Sequence, residues 1–490
     1  MTTVIILMLV QGALGALDTI WHHELMVGLP GKPHARQELA LHAARESIYA
    51  VVFLTLGWLT WNGWLAAVLA TLLLVEVAIT LQDFVLEDRT RRLPPSERVL
   101  HTIMAIGFGA ILAVLAPVLW AWAGRPTGFS LVDYGALSWA MTVVGLGVLA
   151  WAVRDGAAVL QLRAPEPVRA ARASGRTVLI TGATGFIGQP LVAERLRRGD
   201  RVIVLTRDRL AARGLFGEAV IVVENLDHLP AETRIEAVVN LAGAAVAEGP
   251  WTAARRRALL GSRLETTAEV LRLIERLERR PAVLVSASAT GFYGDRGEAM
   301  LDEGSGPAPG FMSELCRSWE EEAVKAEPMG VRVCRLRIGI VLDWSGGILP
   351  MLAFPARFGL GAVVGTGRQW APWIPRDDIL RLISCAVDDE RYTGAINAVA
   401  PDLVTQGELT RAIAYVLRRP QFLHAPAWPL RFGLGEMSDL LLASQRVRPA
   451  RLEMLGFQFS RGTLPEALER PRSTPSISVL ARHTRPAPTW

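Results

Sequence analysis

Four pairs of ionisable residues near the start of the chain share one spacing. Asp18 and His22, Glu38 and His42, Asp83 and Glu87, and Glu97 and His101 each stand four positions apart. At that spacing both members of a pair occupy one face of an α-helix. Carboxylates and imidazoles brought inward from four helices form the donor set of a metal centre of the di-iron bundle type, although the usual soluble motif there is Glu-x-x-His at i, i+3. On ligand type iron suits these donors better than zinc. A haem held by two of His22, His42 and His101 is a second arrangement open to the same residues. A network of ion pairs at helix ends, or a proton or ion path, are the others. Glu46 and Glu76 extend the stripe.

A second set of residues points to phosphate binding. The apolar run Thr177-Val178-Leu179-Ile180 reads as a buried strand. It enters Thr181-Gly182-Ala183-Thr184-Gly185-Phe186-Ile187-Gly188, and a helix follows to about Arg198. The next strand, Arg201 to Leu205, ends at Thr206-Arg207-Asp208. Strand, glycine-rich turn, helix and strand within about 30 residues is the context of a dinucleotide fingerprint. Gly182 permits the tight turn, Gly185 lets the backbone approach a pyrophosphate, and Gly188 lets the helix pack closely. The helix amino terminus attracts the phosphates. Arg207 at the strand end suits the 2′-phosphate of NADP. In the other reading Asp208 takes the ribose of NAD.

These residues need elements to hold them, and the composition divides the chain in two. The protein has 490 residues, 51% hydrophobic and 20% charged, which excludes a disordered chain or a collagen. Its net charge of +5 is spread over dispersed arginines with no basic stripe, so nucleic acid is not an expected partner. The long apolar runs lie before residue 160. Five stretches, near 3–25, 39–61, 64–86, 99–123 and 133–153, are long enough to span a bilayer. The connections after the first, third and fifth carry the basic residues: Lys32 and Arg36; Arg89, Arg91, Arg92 and Arg98; and Arg154, Arg163, Arg169 and Arg172. The connection after the second carries no charge, and that after the fourth carries only Arg125. The positive-inside rule then predicts an integral membrane protein with its amino terminus outside and everything after residue 154 in the cytoplasm. The four ionisable pairs would lie at one cytosolic end of an antiparallel bundle. The fifth span carries no acidic or His residue in its apolar run and reads as an anchor. The three cysteines, Cys316, Cys334 and Cys385, have no metal or redox spacing and read as reduced thiols.

Further motifs narrow the second half. Val239-Asn240-Leu241-Ala242-Gly243-Ala244, Ser286-Ala287-Ser288-Ala289-Thr290-Gly291-Phe292-Tyr293-Gly294, Cys316-Arg317-Ser318-Trp319-Glu320 and Trp373-Ile374-Pro375-Arg376-Asp377-Asp378 follow the glycine-rich turn. Together, over about 177–470, they resemble the atypical and extended short-chain dehydrogenase/reductases, in the NAD-dependent epimerase/dehydratase-like subgroup that ends in a small domain of unknown function. The resemblance implies a Rossmann-like, doubly wound parallel α/β sheet with a small carboxy-terminal lobe over the cleft. The expected organisation is a transmembrane all-α helix bundle over 1–154, a linker over 155–176, the nucleotide domain over 177–420, the lobe over 421–470 and a flexible tail over 471–490.

The resemblance implies that Gly182, Thr184, Gly185, Phe186, Ile187, Gly188, Arg207, Asn240, Ala242 and Gly243 hold the cofactor. Arg337 would reach its phosphates or the substrate, and Trp370 and Trp373 would wall the pocket. Ser288 stands at the catalytic serine position. The Tyr-x-x-x-Lys pair of the superfamily is missing: Met312 and Cys316 stand in its place. Tyr293 is the nearest phenol and either substitutes or lines the cleft. Cys316 beside Arg317 is either an activated thiol or core. The leading expectation is a membrane-anchored NADP-dependent oxidoreductase or epimerase-like enzyme with an atypical active site; the sequence does not give its substrate, and the membrane tether suggests a lipid-like one. One alternative is a non-catalytic NADP(H) sensor or scaffold. Another is a fusion partner of a four-helix iron or haem redox centre.

Overall fold

The computed structural model describes residues 1–27, 36–90, 95–161 and 175–469. The first three stretches are helical. Helix α1 (Thr2–Asp18) runs directly into a π-helix, Thr19–Val27. Helices α2 (Arg36–Leu56), α3 (Leu65–Thr90), α4 (Pro95–Ala123) and α5 (Ala136–Gln161) follow. Five helices here are long and apolar enough to cross a membrane, at positions that match the expected spans. Val4, Ile5, Met8, Phe53, Leu69 and Leu115 form part of their common core. Strands β1 (Leu59–Asn62) and β2 (Gly128–Leu131) pair antiparallel and join the α2–α3 and α4–α5 connections. Helix α5 continues to Gln161, so the first residues assigned to the linker are helical, and Asp155 among them is buried. The apolar run carries the helix past the first charges because Arg154 pairs with Glu24 and with Asp155. Most of the expected linker and the expected tail lie outside the described residues.

The second half carries the remaining strands. These are β3 (Thr177–Thr181), β4 (Arg201–Leu205), β5 (Ile221–Val223), β6 (Ala237–Asn240), β7 (Val283–Ala289), β8 (Met300–Leu301), β9 (Arg332–Ile338), β10 (Ile340–Asp343), β11 (Gly346–Gly347), β12 (Ala362–Val364), β13 (Trp373–Pro375), β14 (Gly394–Ala398), β15 (Leu423–Ala425) and β16 (Arg446–Val447). Seven of them make a parallel sheet in the order β14-β9-β7-β6-β3-β4-β5. The near-continuous Val, Ile and Leu of β3, β4 and β6 suit strands covered on both faces. Helices α6 (Gly188–Arg197), α7 (Arg209–Phe216), α8 (Ala253–Arg276) and α9 (Phe311–Val324) supply part of that cover. The strand order reverses between β3 and β6, and the crevice outside the carboxyl ends of these strands is where a doubly wound sheet takes its ligand. The small lobe reaches back to the nucleotide domain through the pairing of β16 with β8.

Candidate functional site

The glycine-rich turn stands at that switch point. Gly182 has φ +66°, and a Cβ there would stand 2.7 Å from the Leu241 carbonyl, so only glycine fits. A Cβ on Gly188 would come within 2.2 Å of the Gly182 oxygen, so this glycine brings the helix against the turn. Helix α6 has no side-chain cap and no acidic residue in its first turn. Its first amides therefore face the cleft unclaimed by side chains, which is what a pyrophosphate requires. Thr184 accepts from Gln189 Nε2 through its carbonyl at 2.7 Å. Phe186 packs against Gly346 and Gly347 and lies under the Arg376 guanidinium, and Ile187 packs on the main core. These two side chains brace the turn, and its backbone is left for the ligand.

Arg207 is exposed just past β4. The Asp208 carboxylate is the N-cap of α7 and accepts from the Ala211 amide at 2.9 Å. Asn240, expected beside the cofactor, is instead buried. It accepts from Thr181 Oγ1 at 2.6 Å and donates to Thr267 Oγ1 at 2.9 Å. Thr181 Oγ1 in turn accepts from the amides of Leu241 and Ala242. Asn240 thus sets the path of the Leu241–Gly243 backbone, because a buried amide side chain between two strand ends must satisfy its own hydrogen bonds first. Ala242 is half-buried on this loop, and Gly243 is exposed over the guanidinium of Arg263.

The expected catalytic residues are drawn into one buried network. Ser288 Oγ donates to Glu320 Oε1 at 2.8 Å. Arg337 grips the same carboxylate with two nitrogens, Nε to Oε1 at 2.8 Å and Nη2 to Oε2 at 3.0 Å. Its remaining nitrogen donates to the Tyr293 hydroxyl at 2.9 Å, and its plane lies 3.6 Å over Phe292. Tyr293 is 0% exposed and donates to Asn397 Oδ1 at 2.7 Å. The expectation that Arg337 reaches a cofactor phosphate is therefore corrected: its nitrogens are occupied by a bidentate pair and a phenol. Tyr293 likewise faces no open space and braces the network. Glu320 is the hub of this network. Its partners are up to 32 positions away in sequence, so no local spacing revealed it. Asn397, 104 positions from Tyr293, gave no signal at all.

Met312 and Cys316 lie one turn apart on α9. A Cβ on Gly291 would stand 3.1 Å from Met312 Cε and 3.7 Å from Cys316 Sγ. Burial, with the Glu320 charge nearby, pushes the Cys316 thiol up to about 12, so it is core and not an activated nucleophile. Trp373 is also core, its Nε1 bonded to the Asp402 carbonyl at 2.9 Å. All three cysteines are free thiols.

Residues 178–398 match the model of the NAD dependent epimerase/dehydratase family, and residues 425–470 match a domain of unknown function, DUF1731. The epimerase family protein SDR39U1 homolog of Arabidopsis thaliana chloroplasts is 38% identical over 302 residues, covering 60% of this chain and 86% of that one. The epimerase family protein YfhF of Bacillus subtilis is 35% identical over 298 residues, covering 60% of this chain and 97% of that one. This chain belongs to the epimerase family. A crystal structure of the human epimerase family protein SDR39U1 with NADPH superposes with a TM-score of 0.54 at 30% identity, over 59% of this chain and 97% of that one. This is thus an NAD(P)-binding epimerase-family chain with a small terminal domain, and the open turn at α6 has the geometry a dinucleotide requires.

The remaining 40% of this epimerase-family chain has its own buried cluster, between the amino-terminal helices. Asp18 Oδ1 holds His22 Nδ1 at 2.7 Å, and Asp18 Oδ2 holds His101 Nε2 at 3.0 Å. The far nitrogen of His22 bonds to Ser96 Oγ at 3.2 Å. His101 Nδ1 lies 3.4 Å from Glu87, and His42 Nε2 lies 3.1 Å from Asp83, which also accepts from Arg45. Glu76, deeper in the bundle, accepts from Tyr49 and Thr80. Glu38 and Glu97 are buried as well. The four pairs do meet, as their shared spacing predicts.

His23 was not among them, and it stands at the centre. Its Nε2 is 3.4 Å from Glu97 and 3.6 Å from Asp18, and its ring stacks on His42 with centroids 4.5 Å apart. Along an α-helix His23 would turn away from Asp18. The π-helix, with its i→i+5 bonding, returns it to the Asp18 face. The histidines of the haem reading, His22, His42 and His101, have their Nε2 atoms beside Ser96, Asp83 and Asp18 respectively.

Proposed function

We propose that this chain is a membrane-anchored NADP(H)-dependent oxidoreductase of the epimerase family with an atypical cleft. Its amino terminus lies outside and its nucleotide domain in the cytoplasm. The observation that carries the cofactor choice is the division of labour after β4. Asp208 is committed to capping α7, while Arg207 is left exposed where a 2′-phosphate would sit. The NADPH in the human relative's structure supports the same choice. Anchoring is supported by five long apolar helices and by the large apolar side chains they leave exposed, among them Leu74, Ile106, Trp120 and Val143. Ser288 stands at the catalytic serine position, and a substrate carbonyl accepting hydride would draw its proton from water, since no phenol or lysine stands at the usual positions. Tethering to the bilayer favours a lipid-like substrate.

The test is cofactor affinity of the full chain in detergent. Arg207→Ala should weaken NADPH binding on the order of tenfold or more and leave NADH almost unchanged. Equal affinity of the wild type for both cofactors would overturn the NADP reading. One observation favours a second reading, a non-catalytic NADP(H) sensor: Ser288 and Tyr293 are both buried and bonded to other side chains. NADPH consumption by membranes holding the wild type, abolished by Ser288→Ala with binding retained, supports the enzyme. Binding without consumption supports the sensor.

A further inference from the structure

The buried cluster between the amino-terminal helices takes no part in cofactor binding, and its chemistry is specific. Asp18, His23, Glu97 and His101 each present a ligand atom within 4.8 Å of all the others, and His23, His42 and Glu87 form a second such group. We propose that Asp18, His23, Glu97 and His101 bind a divalent transition-metal ion, with His42 and Glu87 as flanking donors.

Each of the four is at most 8% exposed. Carboxylates this deep cost several kcal/mol each unless a cation compensates them. His22 and His101 already share the two oxygens of Asp18. His23 is left over. Neither of its ring nitrogens makes a hydrogen bond among the described residues, although the ring is 4% exposed and faces two carboxylates. A buried imidazole placed so is at a disadvantage in a purely hydrogen-bonded network, and at an advantage when one nitrogen coordinates an ion. The backbone also departs from its regular path at this residue, since the π-helix is what turns His23 inward. His22 then acts through Asp18. With one nitrogen on the carboxylate and the other on Ser96, it orients a ligand as outer partners of metal sites do.

The donor set selects the ion. Imidazole with carboxylate and no thiolate disfavours copper(I) and suits iron(II), manganese(II) or zinc. Of the eight residues first assigned to a metal, Asp18, His42, Glu87, Glu97 and His101 fall in the two groups. His22, Glu38 and Asp83 do not, and His23 joins.

The test is metal content of the full-length chain in detergent. Elemental analysis follows purification and, separately, anaerobic titration of chelator-treated protein with iron(II), manganese(II), zinc and cobalt(II). The expected result is one or more ions per chain, weakened on the order of tenfold or more by His23→Gln or Glu97→Gln. Size-exclusion elution and thermal unfolding of the same variants in detergent report that they fold. Should both variants fail to fold, the ligand-field spectrum of the cobalt-loaded wild type reads nitrogen and oxygen coordination without any substitution. Wild-type protein that carries no stoichiometric ion and takes up none of the four would overturn the proposal and leave an ion-pair network. So would His23→Gln protein that keeps its ion.

Discussion

Tyr293 illustrates how burial decides a residue's role. Its hydroxyl is raised above a phenol's ordinary value by burial, with the Arg337 charge pulling the other way. A raised value in the folded state means stability that is present below the unfolded value of about 10 and lost as pH climbs past it. Tyr293→Phe should therefore cost about 1–3 kcal/mol at neutral pH, because Arg337 and Asn397 each lose a buried partner, and should blunt the alkaline loss. Denaturant unfolding of the full chain at neutral and alkaline pH checks both. The same variant should bind NADPH as the wild type does, since Tyr293 faces the network and not the cleft. At Cys316 the buried, neutral thiol should resist alkylation at pH 8 in the native protein and react once unfolded, as followed by mass spectrometry.

At the scale of elements, the α6 turn works through contacts made by glycine. Gly188→Ala would push a methyl group to 2.2 Å from the Gly182 oxygen, so turn and helix would have to part. NADPH affinity should fall on the order of tenfold or more, with a lower Tm, as read by cofactor titration and thermal unfolding of the same preparation. A wild-type affinity in this variant would mean that the turn is not the phosphate cradle. The turn was legible because strand, glycines and helix adjoin in sequence. The π-helix was not: Thr19 to Val27 has nothing in its composition to set it apart from a continued α-helix. Tertiary packing against α2 and α4, through His42, Glu97 and His101, decides which histidine faces inward. Hence His22 was read as a ligand and His23 was passed over.

For the whole molecule, the distribution of Lys and Arg predicts a topology. A tag at the amino terminus should be accessible from outside sealed cells or spheroplasts, and a tag at the carboxy terminus only after permeabilisation. An outside carboxy terminus would overturn the cytoplasmic placement of the nucleotide domain. Strands β1 and β2 close the end whose connections carry only Arg125, and the histidine cluster occupies the other.

Taken alone, the sequence determined whatever depends on neighbours along the chain. That includes five apolar helices, the meeting of four ionisable pairs, the dinucleotide turn, Arg207 past β4, and the loss of the Tyr-Lys pair at Met312 and Cys316. Periodicity and short motifs carry these because the physics behind them acts within a few turns of backbone. Tertiary structure alone decided what rests on distant partners: Glu320 as the hub joining Ser288 and Arg337, Asn240 turned into the sheet, Tyr293 closed off from the cleft, and His23 turned toward Asp18. In each case a buried polar group had to find its partner across the fold, and the cost of leaving it without one, rather than any local pattern, fixed where it points.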